Sequence, residues 1–175
     1  VPSAFLLPSS SMGTAQGYST QRAVLDTNVA LALWLFDDRQ LGPLRSALES
    51  GALLWTSSPP MLNELFHELR PERCARYGHT VAAIEARLSR VPCQQVFDMS
   101  GGRSTPSGLR CSDPKDQMFI DLALAEQIPL LISRDRAVLK LRRKALAHGL
   151  EICTPESWVC TERAPPVAAA NQHST

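Results

Sequence analysis

"AVLDTNVALALWLF", residues 23–36, starts as a short apolar run of strand type and continues as a longer one of helical length. A carboxylate, Asp26, stands at the seam. In an open parallel α/β sheet the chain leaves each strand for a helix at the strand's carboxyl end, and ligands collect just beyond that end. An acid at this position therefore has two readings. It caps the helix that follows, with Thr27 and Asn28 shaping the turn, or it faces a ligand. Which one holds depends on what the other strand ends carry.

Outward from this stretch, short apolar runs alternate with helical patterns, as parallel strands joined by crossover helices require. "PLRSALES" is expected to be a helix, with Pro43 near its start and Gly51 just past its end. "ALLWTS" reads as the second strand. After it, Ser58 and Pro59 open a helix on which Met61, Leu62, Leu65, Phe66 and Leu69 recur at helical spacing. Thr80 is expected to start another helix, with Val81, Ile84 and Leu88 on one stripe, before a short strand near "QQVF". "SDPKDQMFIDLALAEQ" predicts a helix, "IPLLIS" a strand, "RAVLKLRRKALAHG" a helix and "LEICTP" a final strand. Between the third strand and the helix after it, Asp98 to Cys111 is rich in Gly and Ser and is expected to be a mobile loop. No internal repeat is present.

With 175 residues the chain suits one core, expected over 21–160. Residues 1–20 and 161–175 are biased towards small residues and Pro, and are expected to be a disordered lead and tail; Met12 makes a misassigned start an alternative for the former. At 44% hydrophobic and 20% charged residues the composition is that of a globular protein. No apolar stretch approaches the ~18 residues of a membrane span, so a soluble protein without membrane contact is expected. Eighteen basic and seventeen acidic residues nearly cancel, so any polyanion must be met by a local patch. Five widely spaced cysteines without a CxxC pair argue against structural zinc and against a disulfide framework. Together with an N-terminus unlike a signal peptide, they point to a cytoplasmic protein.

Four strand ends offer acids: Asp26 after the first strand, Glu64 in the helix after the second, Asp113 and Asp116 at the helix after the loop, and Asp135 after "LLIS". Two unit charges ~4 Å apart repel by roughly 4 kcal/mol at an effective dielectric near 20. A converging set must take up protons or hold a cation. Oxygen ligands without His or Cys partners select Mg²⁺ or Mn²⁺, which polarise phosphodiesters and acidify bound water. Each acid also has a plain structural reading. Asp113, before Pro114, suits a cap; Asp116 falls where the helix dipole favours negative charge; Glu68 shares a face with Glu64 one turn away; Asp135 can pair with Arg134 or Arg136. His67 lacks a second ligand at suitable spacing, and Asp121 reads as a partly exposed helix residue. Arg134, Arg136, Lys140, Arg142, Arg143 and Lys144 form the densest basic run, either a solvated helix face or a seat for RNA phosphates. Ser57 and Ser133 either donate to phosphate or satisfy backbone, and Trp34, Trp55 and Trp158 read as core.

Taken together, "VLDTNV", "ELFHEL", "DPKDQMFIDLALAE" and "LLISRD" followed by "ICTPESW" resemble the PIN-domain ribonucleases, particularly their bacterial toxin-like branch. The likeness spans roughly residues 22–160. It implies a three-layer α/β/α sandwich with a central parallel sheet, and a divalent-metal-dependent endoribonuclease that leaves a 3′-hydroxyl and a 5′-phosphate. By position, Asp26, Glu64, Asp116 and Asp135 match the family's catalytic metal-site acids. The resemblance also implies a small antitoxin protein as partner, and the family's habit of pairing makes a homodimer an expectation. Two positions depart from the usual pattern: Gln117 stands where Asn is common, and "SRD" replaces Thr-Gly-Asp. A phosphotransferase with Asp26 as nucleophile is disfavoured, because such enzymes want a second Asp at the position of Asn28. A PIN-like RNA- or protein-binding module without catalysis is the remaining alternative.

Overall fold

The structure, a computed structural model, describes residues 20–97 and 109–158. Five parallel strands form its sheet: β1 (Gln21–Leu25), β2 (Leu53–Ser57), β3 (Cys93–Gln95), β4 (Leu130–Ile132) and β5 (Glu151–Cys153), in the order β3-β2-β1-β4-β5. β1 is central. Between β1 and β2 run α1 (Thr27–Trp34), a 3₁₀ turn (Arg39–Leu41) and α2 (Gly42–Glu49). The path from β2 to β3 holds α3 (Pro59–Glu68), α4 (Pro71–Arg76) and α5 (Val81–Leu88). Helix α6 (Gln117–Ala125) precedes β4, and α7 (Arg136–Leu139) and α8 (Arg142–Leu146) lead to β5.

The inner strands are apolar because both faces of the sheet are covered, as a parallel sheet demands. Side chains alternate between two cores. Ala23 and Leu25 of β1, Leu53 and Trp55 of β2, and Leu130 and Ile132 of β4 face the layer of α1, α2, α3 and α5. Val24, Leu131 and Ile152 face α6, α7 and α8. The result is the three-layer α/β/α sandwich expected from the sequence. Trp34 of α1 stacks on Trp55 of β2 with ring centroids 5.5 Å apart and planes at 22°, and all three tryptophans are buried.

Register sets the level of the sheet's carboxyl edge. Leu25 of β1 lies opposite Ile132 of β4, and Ile132 opposite Cys153 of β5. The Asp26 amide continues the ladder by donating to the Ile132 carbonyl at 3.1 Å, and the Ser133 amide donates to that of Cys153 at 3.0 Å. Asp26 and Ser133 therefore leave adjacent strands side by side.

Helix boundaries show how local chemistry cuts the apolar pattern. Pro59 occupies the first turn of α3 after Ser58, and Thr80 caps α5 by accepting from the Ala83 amide at 3.2 Å. Gly51, just past α2, takes a φ of 76°, which a residue with a Cβ adopts only under strain. Three expectations need correction. The helix expected from Ser112 starts at Gln117, because the Asp113 carboxylate accepts from the Lys115 amide at 2.9 Å and closes a turn around Pro114. The single helix expected over "RAVLKLRRKALAHG" is two, since the Leu141 amide bonds back three residues to the Val138 carbonyl and interrupts the ladder. Helix α4 has no counterpart among the expected elements, although Pro71 at its start, Glu72 in its first turn and Arg73 and Arg76 in its last are ordinary terminus signals. The expected lead over 1–19, the tail and residues 98–108 of the expected loop lie outside the described residues; the end of that loop is held, with Leu109 buried in the core and the Cys111 amide bonded to Gln117.

Candidate active site

Asp26 is 2% exposed, yet it stands at the end of the central strand rather than inside the core. One carboxylate oxygen accepts from the Val29 amide at 2.7 Å, which caps α1. The other accepts from the Ser133 hydroxyl and, at 3.2 Å, from the Arg134 amide. Capping and site-facing are thus not exclusive: one oxygen serves the helix, the other binds the neighbouring strand's exit. Burial pushes the Asp26 pKa up, against the Ser133, Val29 and Arg134 hydrogen bonds that pull it down, and the nearby Asp135 charge adds to the rise.

Glu64 reaches the same turn from the other side of β1. Its carboxylate accepts from the Thr27 hydroxyl at 3.0 Å, so the residue following Asp26 fixes an acid delivered by α3. Glu68 is engaged elsewhere. It pairs with Arg73 and lies 3.9 Å from His67, whose ring is largely exposed and turned to this acid.

On the β4 side, Asp135 caps α7 by accepting from the Ala137 amide at 2.6 Å, while its own amide donates to the Ser133 hydroxyl oxygen at 2.9 Å. Ser133, fully buried, is therefore a single atom's bridge between Asp26 and Asp135. Asp116 sits at the N-cap position of α6 but its side chain caps nothing. Its pKa is pushed up to about 6, chiefly by burial and then by the charges of Asp135, Asp113, Asp26 and Glu64. Repulsion from acids on other elements places the Asp116 carboxyl within electrostatic reach of all three other candidates.

Ser133 serves the backbone, one of the two readings its position offered, by accepting from the Asp135 amide, and its hydroxyl also donates to Asp26. Arg134 does not pair with Asp135; its guanidinium donates to Asp38 at 2.7 Å and to Glu156 at 2.7 Å, tying the turn after α1 to the segment after β5. Gln117 donates to Asp121 at 2.8 Å and to the Leu109 carbonyl at 3.3 Å, and accepts from the Cys111 amide at 2.6 Å, so it anchors the incoming chain to α6. Links of this kind leave no periodic trace in the sequence. The thiols are ill-suited to nucleophilic work here: burial pushes Cys93 up to about 12 and Cys153 up to about 11.

Among the described residues, no group of three or more His, Cys, Asp or Glu is gathered closely enough to hold a metal ion. The donor set is nonetheless all oxygen and mutually repelling, which fits a hard divalent cation better than any softer metal. No described helix is long and apolar enough to cross a membrane.

A family model described as PIN domain matches residues 22–137, which take in β1 from Arg22 on, β2 to β4 and all four candidate acids. No curated protein matches the chain.

Proposed function

The chain belongs to the PIN-domain family, whose members are generally nucleases, and from that premise we propose that it is a Mg²⁺- or Mn²⁺-dependent endoribonuclease, the toxin of a toxin–antitoxin pair. The observation that carries the reading is the approach of acids from separate elements to the end of β1, within electrostatic reach of one another but not gathered as a ready metal site. Thr27 ties Glu64 to the Asp26 turn, Ser133 ties Asp135 to Asp26, and Asp116 feels the charge of all three.

In this reading Asp26, Glu64, Asp116 and Asp135 hold the cation, with Asp113 an outer contributor at most, since its carboxylate already bonds the Lys115 amide. When bound, the cation supplies Lewis-acid polarisation of the scissile phosphate and a lowered pKa for attacking water. The chain's own groups do the rest. Ser133 and the Arg134 amide hold the Asp26 carboxylate in one orientation, and Thr27 does the same for Glu64. Asp116, whose side chain caps nothing, is left to the cation. Attack by water on phosphorus breaks the bond to the 3′ oxygen, giving a 3′-hydroxyl and a 5′-phosphate.

A second reading, a PIN domain that binds RNA or protein without cleaving, is favoured by one observation: no three ligands stand ready-made among the described residues. Incubating purified protein with single-stranded and structured RNA, with Mg²⁺, Mn²⁺ or EDTA, and alongside Asp26→Asn, separates the two. Cleavage that stops with chelation and with the substitution is expected. Binding without cleavage under every metal condition would establish the silent module instead. The toxin role is tested by growth arrest on expression and its relief by the product of the adjacent reading frame.

A further inference from the structure

Five cations follow Asp135 without an acid among them: Arg136, Lys140, Arg142, Arg143 and Lys144. The stretch 136–150 contains no Asp or Glu at all, so the remaining thirteen basic residues share the chain with all seventeen acids. This surface is the molecule's concentrated positive charge. Arg136, Lys140, Arg142 and Arg143, with Leu139, line one open depression of about 400 Å³ formed by α7 and α8. All four cationic side chains on it are exposed, and no carboxylate among the described residues forms an ion pair with any of them.

Two contrasts give this weight. Arg134, the first cation of the run, is paired with Asp38 and Glu156. The other basic depression, around Arg70, Arg73, Arg76 and Tyr77, includes Glu72, and its Arg73 is paired with Glu68. Arg70 and Arg76 there enter no ion pair among the described residues either, so what sets the α7–α8 depression apart is that no carboxylate lines it. A chain of net charge +1 that leaves one face uncompensated has placed local attraction there. The face begins at the carboxyl edge of the sheet with Arg136, the residue after Asp135, and follows the crossover from β4 towards the start of β5.

We propose that the α7–α8 surface is a seat for the sugar–phosphate backbone of an RNA strand, holding it beside the acids by unpaired cations rather than by base contacts. This deepens the nuclease reading and rests on it for the identity of the polyanion. The interruption at Leu141 falls within this surface: Lys140 closes α7, Arg142 opens α8, and the partly buried Leu139 lines the same depression. With no aromatic or amide side chain in that lining, the attraction should rest on phosphate contacts, be uniform across sequences and depend steeply on salt.

The test uses the full chain and the triple variant Lys140→Gln, Arg142→Gln, Arg143→Gln, none of which touches the candidate acids. Binding of a fluorescein-labelled single-stranded RNA is measured by anisotropy in EDTA, between about 50 and 200 mM salt. The expected result is weaker binding by the variant for several unrelated RNA sequences, with the slope of log K against log salt reduced by roughly 2, as about 0.7 per lost phosphate contact predicts. An unchanged slope, or no RNA binding by the parent chain, would overturn the proposal. Binding of an acidic peptide in place of RNA would reassign the surface to a protein partner and would overturn it equally. Because EDTA removes cleavage, a failed nuclease assay in Mg²⁺ beside a reduced slope would sink the catalytic reading and leave the seat intact. Unaltered circular dichroism and melting of the variant confirm that folding is not what changed.

Discussion

The Ser133 hydroxyl reaches a residue 107 positions away, donating to Asp26, and accepts from the Asp135 amide. Its removal should leave Asp26 with the Val29 and Arg134 amides alone and loosen the backbone at Asp135, whose carboxylate stays on the Ala137 amide. Ser133→Ala is expected to lower metal affinity or turnover about ten- to a hundredfold, as loss of a ligand's outer hydrogen bond does elsewhere, measured by metal titration and by single-turnover cleavage. Asp116 makes a second residue-level prediction. Its folded-state pKa, about 6, lies above the ordinary 3.8, so between about pH 4 and 6 the native state binds more protons than the unfolded one and stability falls as pH rises through that window. Asp116→Asn should flatten that fall and raise the melting temperature at pH 7.5 while abolishing cleavage, read by melting curves across pH. Part of the slope should persist, because Asp26 is shifted in the same direction. The candidate acids are legible in the sequence, each being a carboxylate near a strand end. Their supporting partners are not, because Ser133, Thr27 and Arg134 act through contacts that only the strand order β2-β1-β4 creates.

Among the elements, legibility follows period and length. The alternation of Ala23, Val24 and Leu25 between two cores explains why β1 reads as an unbroken apolar run, and α3 and α5 follow their stripes closely. The break in the last helical stretch is invisible in the sequence, because no Gly or Pro marks Leu141 and the interruption is one backbone bond. Two substitutions test the packing side. Trp55→Ala removes half of the Trp34–Trp55 stack and a buried ring, and should cost about 3–5 kcal/mol in urea melts. Thr80→Ala, at an exposed cap, should cost only about 1 kcal/mol and leave any activity untouched. A Trp55→Ala cost no larger than the cap's would mean that the stack contributes little.

For the molecule as a whole, the near-cancelling charge conceals a polar distribution: acids at the carboxyl edge of the sheet, unmatched cations on α7 and α8. Both groups of residues can be read along the chain but not their placement, since neighbouring in space requires the parallel register. A cation drawn to the acids should stabilise the folded chain. At a hundredfold excess over its Kd, Mg²⁺ or Mn²⁺ is expected to add about 2.7 kcal/mol, a rise in melting temperature of roughly 5–10 °C for a chain of this size. The rise should be absent in Asp26→Asn and smaller at pH 5 than at pH 7.5, where protons compete less for Asp116. Ca²⁺ in place of Mg²⁺ serves as the control for mere charge neutralisation.

The family match ends at residue 137, whereas β5 covers β4 and Glu156 grips Arg134 from beyond that limit. A fragment cut to the matched span would strip β4 of its outer neighbour, baring an apolar ladder of unpaired amides and carbonyls of the kind that nucleates intermolecular pairing. The same cut would unfasten the guanidinium whose backbone amide steadies Asp26. Shortened in that way, the protein should precipitate before its chemistry could be assayed.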